Sequence, residues 1–148
     1  SHDFRGYPIP DCPYNEFYLE HSDFLSRIET REEALVASWC LTNAVPLKNG
    51  RNNKDWITIY YENLICDPRQ EISRVFQRWA LPIPDGIFDI VREPSSTTKE
   101  ATFRLSIEKQ LSKRKCFFDR DQMKRLMAVL DYFEIDCYGP GVLPRSTE

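Results

Sequence analysis

Between residues 31 and 45, Leu35, Val36, Trp39 and Cys40 recur at three- and four-residue intervals, the spacing of one face of an α-helix. Thr30 stands three residues ahead of Glu33, so each side chain can satisfy the other residue's free backbone N–H, and a helix is predicted from Arg31 to about Val45. Pro46 and the polar run from Lys48 to Asn53 are expected to stop it. The run Trp56-Ile57-Thr58-Ile59-Tyr60-Tyr61 is of another kind. It is β-branched or aromatic throughout and flanked by polar residues, and it reads as a core strand covered by helices on both faces.

Asp67 before Pro68 gives an N-cap followed by a first-turn proline, with Gln70 at the third helical position. The helix predicted there carries Ile72, Val75, Phe76 and Trp79 on one side, and Glu71, Arg74 and Arg78 largely on the other, until Leu81-Pro82 ends it. Asp85 can cap a short helix through Ile87, Phe88, Ile90 and Val91. A last helix begins at Asp119, with Gln122 three positions on, and its apolar face is Met123, Leu126, Met127, Leu130 and Phe133. The first 20 residues are rich in Pro, Tyr and Asp without a sustained period, and read as an irregular leading segment. The expected class is α/β, mostly helical with one clear core strand at about 56–61, in a single unit spanning 1–148. A lone strand leaves both edges unpaired, so its partners are expected from other polypeptide.

Composition narrows the function classes. The chain has 148 residues, 41% of them hydrophobic and 29% charged, enough to bury an ordinary single-domain core. No apolar run approaches the roughly 20 residues that span a bilayer, and the leading residues carry no basic stretch before an apolar core, so a cytoplasmic location is expected. The five cysteines are odd in number and never spaced as a metal knuckle, which predicts reduced thiols and no metal site. A net charge of −3 gives no general attraction to nucleic acid, and Lys113-Arg114-Lys115 reads as a solvated face in preference to a phosphate or polyanion site.

One resemblance covers about residues 22–140. The run Tyr60-Tyr61-Glu62-Asn63-Leu64-Ile65-Cys66-Asp67-Pro68, continuing through Ile72, Val75 and Phe76 to Trp79-Ala80-Leu81-Pro82, resembles the sulfotransferase superfamily. Ala37-Ser38-Trp39-Cys40-Leu41-Thr42-Asn43 is similar to the helix before the family's strand, and Phe133-Glu134-Ile135-Asp136-Cys137-Tyr138 to its closing signature. Ala80 and Glu134 stand where the family commonly has glycine, which implies turns built differently. The glycine-containing loop that holds the 5′-phosphosulfate is not found, so the resemblance is to the C-terminal half of a P-loop-type fold.

The resemblance implies part of an enzyme moving a sulfuryl group from 3′-phosphoadenosine 5′-phosphosulfate to a hydroxyl or amine of unknown acceptor. The missing N-terminal half would be supplied in cis or in trans, and this chain alone would be inactive, with no catalytic residue of its own. Tyr61 would lie against the adenosine, with Ser95, Ser96, Thr97 and Thr98 as hydroxyl partners and Lys99 and Arg104 as cations for a phosphate. Plainer roles stand beside these: Tyr61 as core packing, Thr97 with Glu100 as a capping box, Lys99 and Arg104 as solvated residues. Glu62 reads as an anchor for the turn after the strand, and His21 as a loop histidine able in principle to activate a hydroxyl. The alternative function is a non-catalytic interaction module built on the same half-fold; a P-loop kinase relative comes last, without any Gly-Lys-Ser/Thr signal.

Overall fold

Three local codes in the sequence are realised as hydrogen bonds. The computed structural model describes residues 5–13, 15–50, 53–90, 109, 111, 117–141 and 143–145. Its helices are α1 (Glu16–Glu20), α2 (Ser22–Leu25), α3 (Arg31–Gly50), α4 (Tyr61–Cys66), α5 (Pro68–Arg78), α6 (Ile87–Ile90) and α7 (Arg120–Tyr132). At the start of α3, Glu33 N–H donates to Thr30 Oγ1 at 3.2 Å while Thr30 N–H donates to Glu33 Oε2 at 2.9 Å. Asp67 Oδ1 accepts from Gln70 N–H at 2.9 Å to open α5, and Asp119 and Gln122 form a reciprocal capping box on α7.

No residue among those described belongs to a β-strand, which overturns the α/β class and the core strand at 56–61. The segment 56–60 has the side-chain character of a strand but no ladder, and Tyr61 already begins α4. Propensity selects extended backbone locally, as at Tyr60 (φ −93°, ψ 129°), but a strand requires a hydrogen-bonded neighbour. The architecture described is therefore all-helical.

The core lies where α3 packs on α7, joined by Leu25, Ile28 and the stretch after α7. On α3 the buried stripe is Ala34, Ala37, Cys40 and Leu41, whereas Leu35 and Trp39 are exposed, so the predicted face is rotated. Small residues on that stripe let α7 approach closely with Val129, Leu130 and Phe133. On α7, Leu126, Leu130 and Phe133 are buried as expected, Val129 joins them, and Met123 and Met127 are half-buried. Beyond α7, Phe133, Ile135 and Cys137 turn inward while Glu134 and Asp136 stay exposed. Leu25 is fully enclosed, so Leu25→Ala would cost about 2–5 kcal/mol.

Pro46 does not end α3, which continues to Gly50. A helix-interior proline loses one hydrogen bond and costs about 3 kcal/mol, part of which is offset by packing Leu47, on the continued helix, against the core. The leading segment also departs from an irregular path, since α1 occupies its last residues and Gly6 N–H and Tyr7 N–H donate to the carbonyls of Ile28 and Leu25.

Both turns at the glycine-replacing positions use left-handed backbone. Ala80 has φ 52° and Glu134 φ 56°. After α5, Leu81 N–H donates to Phe76 O and Ala80 N–H to Gln77 O; after α7, Ile135 N–H donates to Leu130 O and Glu134 N–H to Asp131 O. These are paired Schellman caps, the termination glycine normally serves, so the expectation of differently built turns is corrected.

Candidate docking surface

From residue 53 to residue 90 only Glu71 and Ile72 are buried. The same segment carries Trp56, Ile59, Tyr61, Trp79, Leu81, Ile83 and Ile90 as exposed large apolar side chains. Tyr61 is 67% exposed, Leu81 54% and Ile59 47%. Scattered apolar residues are ordinary on a surface, but a lobe of this length with almost no interior of its own is not.

The lobe is nonetheless anchored at defined points. Trp56 and Thr58 face Gly50 at the end of α3, each with an atom 3.7 Å from where a Cβ on that glycine would sit. Tyr60 meets the Tyr138 ring edge-on, with centroids 6.0 Å apart, and Trp39 meets the same ring at 5.6 Å. Residues 56, 58 and 60 thus turn toward the helical core, as alternate side chains of an extended chain must, and Ile57 and Ile59 belong to the opposite face.

Two polar contacts hold this arrangement. Tyr138 Oη donates to Glu62 Oε2 at 3.2 Å, tying α4 to the stretch after α7. Burial, then the neighbouring Glu62 carboxylate, pushes the Tyr138 phenol above its ordinary range. On α5, Arg74 Nε donates to Glu71 Oε2 at 3.0 Å, and Arg74 Nη2 donates to the Thr58 carbonyl at 2.8 Å. Glu71, assigned by its spacing to the polar side of α5, is buried because Arg74 neutralises it. The hydrogen bond to Glu71, then the Glu71 charge against the opposing cost of burial, raises Arg74 above its ordinary value.

Among the described residues, the backbone contacts of the segment fall on one side only. Thr58 O is taken by Arg74, while the N–H and C=O groups of Ile57 and Ile59 have no hydrogen-bond partner among the described residues. In extended backbone the polar groups of successive residues point to alternate edges, so those of Ile57 and Ile59 face away from α5. Sequence reasoning missed Arg74 as the residue that covers one edge. Its polar position on an amphipathic helix carries no signal for a contact sixteen residues back.

Other groups singled out by sequence fall elsewhere. Tyr61 is the first residue of α4 and neither buried nor packed in a core. Ser95, Ser96, Thr97, Thr98, Lys99 and Arg104 lie outside the described residues. Glu62, read as an anchor for a turn after a strand, instead lies in the first turn of α4 and accepts from Tyr138 Oη. His21 Nδ1 is 3.1 Å from Tyr132 Oη, boxed by the rings of Phe17, Tyr132 and Phe133, beside a cleft of about 430 Å³ that Lys48 also lines. Cys40 and Cys137 are buried free thiols, and burial, with Cys137 nearby, raises Cys40 to about 12, which makes it unreactive. Among the described residues no group of His, Cys, Asp and Glu could hold a metal, and no helix is long and apolar enough to cross a membrane.

No family model, no curated protein and no solved structure matches the chain. The reading as part of a sulfotransferase, and as an enzyme of that kind, is overturned: the sheet on which its donor site would rest is absent among the described residues, and no match supplies other support. The descriptors that followed from it, a P-loop-like fold acting on 3′-phosphoadenosine 5′-phosphosulfate, fall with it.

Proposed function

We propose that this chain is a non-catalytic interaction module that docks an extended segment of another polypeptide on the lobe from residue 53 to residue 90. One observation carries the reading: this lobe buries only Glu71 and Ile72 while leaving the main-chain groups of Ile57 and Ile59 without partners among the described residues. An extended occupant suits both features. Its backbone would exchange hydrogen bonds with Ile57 and Ile59, and its alternate side chains would cover Ile59 and Tyr61. Fully burying one large apolar side chain contributes about 1.5–3 kcal/mol, so covering the exposed parts of a few supplies several kcal/mol toward association.

Position-specific photocrosslinking in cells tests this. A benzophenone-bearing side chain at Tyr61 or Leu81 should yield discrete crosslinked polypeptides, whereas the same group at Lys124 on α7 should not. Ile59→Pro removes the amide hydrogen from the open edge and should suppress the products. Equal crosslinking at all three positions, or products indifferent to Ile59→Pro, would overturn the reading.

A further inference from the structure

The docking reading leaves the occupant unnamed, and the sequence of the open edge is self-complementary. We propose that the extended partner is a second copy of this chain, paired antiparallel through residues 56–60 about a two-fold axis at Thr58. The inference rests on the docking reading and deepens it.

Three features of the segment point there. First, Arg74 takes the Thr58 carbonyl, so the edge left over is the one that Ile57 and Ile59 face. A two-fold axis at Thr58 sets Ile57 opposite Ile59 of the other copy, and these two positions can exchange both backbone hydrogen bonds. The Thr58 pair then falls at a non-hydrogen-bonded position, as its engagement with Arg74 requires. Any other centre shortens the pairing, because α4 begins at Tyr61.

Second, the side chains match about the same axis. Ile57 meets Ile59, Thr58 meets Thr58, and Trp56 meets Tyr60, each a combination favoured across antiparallel strands. Ile59 and Trp56 are both exposed before pairing, so association removes apolar surface from water. Third, the flanking charges are opposite. Lys54 is brought toward Glu62 of the second copy, at the start of its α4. Lys54 has no carboxylate partner among the described residues, and Glu62 engages Tyr138 through Oε2 alone.

An unpaired edge of β-branched and aromatic residues, without the proline or inward charge that blunts such edges, is a template for pairing with another strand. Five residues make a small interface, so the expected affinity is modest, with Kd on the order of 10–100 μM.

Analytical ultracentrifugation of the full chain tests the pairing. The 17.5 kDa chain should sediment as a species of twice that mass at concentrations above that Kd, and as a monomer well below it. Ile57→Lys/Ile59→Lys sets like charges opposite each other at two symmetric places and should weaken association at least tenfold. Ile57→Lys/Ile59→Glu carries as many new charges but sets Lys opposite Glu, and should restore the dimer. In wild type, protection of the Ile57 and Ile59 amides against hydrogen exchange should rise with concentration, a readout that needs no variant.

A wild-type monomer at every concentration, a double-lysine variant that dimerises normally, a Lys/Glu variant that stays monomeric, or association without protection of the two amides would each overturn the proposal. A monomeric wild type that still crosslinks through Tyr61 and Leu81 to a different polypeptide would overturn the second copy and keep the docking reading. No crosslinks together with no dimer would remove both.

Discussion

Replacing Ala80 by glycine isolates the energetic consequence of a left-handed residue with a side chain. Ala80 sits at φ 52° as the residue after the cap of α5, where its N–H donates to Gln77 O and the next N–H to Phe76 O. An L-residue pays about 1–2 kcal/mol for that conformation, because Cβ crowds the following carbonyl oxygen. Glycine escapes the crowding but brings extra unfolded-state freedom, which costs about 0.5–1 kcal/mol relative to alanine. The side chain of Ala80 is exposed, so little packing is lost, and the net gain expected for Ala80→Gly is about 0.5–1 kcal/mol. For a chain of this size that raises Tm by roughly 2–3 °C. Differential scanning calorimetry and urea titration of wild type, Ala80→Gly and Ala80→Val provide the assay. The valine variant, β-branched at positive φ, should lose more than about 1 kcal/mol. A lower stability for Ala80→Gly, or an Ala80→Val variant indistinguishable from wild type, would refute the Schellman geometry at the end of α5.

Glu134→Gly should stabilise for the same reason, less the exposed ion pair with Lys48 at 3.7 Å, which contributes little; calorimetry again reads it. Glu33 is buried and accepts from the N–H groups of Glu29 and Thr30 while pairing with Arg125 of α7 at 3.3 Å, so Glu33→Ala should cost about 2–3 kcal/mol in urea and Glu33→Gln about half that. Stability should also fall in alkali: burial raises Cys40 from 9.0 to about 12 and raises Tyr138 above 10.0, so the folded state holds protons that the unfolded chain releases. That stability is present in full below pH 9 and lost as pH climbs toward 12, with Tyr138→Phe reducing the loss, as denaturant titrations across that window will read. Adenosine 3′,5′-bisphosphate, the nucleotide the family resemblance implies, should give no saturable heat on titration. Saturable binding that Tyr61→Ala abolishes would favour that resemblance over docking.

The parts of the fold that were legible in the sequence are those with a local chemical code. The caps at Thr30, Asp67 and Asp119 each need only a side chain and an N–H three residues away, and all three formed. The stop expected at Pro46 is not made: α3 runs on to Gly50 and packs Leu47 against the core, a tertiary contact that local spacing does not show. On α3, spacing alone does not choose between the bulky stripe of Leu35 and Trp39 and the small stripe of Ala34 and Ala37, and close approach by α7 selected the small one. The strand reading of residues 56–60 captured the alternation, with Trp56, Thr58 and Tyr60 turned to one side, but a ladder depends on a partner that no local pattern supplies. That same missing partner is the basis of the docking surface. Of the residues the resemblance implied would face a nucleotide, Ser95, Ser96, Thr97, Thr98, Lys99 and Arg104 lie outside the described residues, and Tyr61, the one that can be placed, lies open to solvent.

Site-resolved hydrogen exchange on the chain diluted below its association range examines the docking edge most directly. The amides of Ile57 and Ile59 should exchange at rates close to those of an unstructured peptide, while those of Leu126, Val129 and Leu130 in α7 remain protected by several orders of magnitude. Protection at Ile57 and Ile59 equal to that in α7, in the dilute monomer, would mean that this edge is already occupied from within the chain.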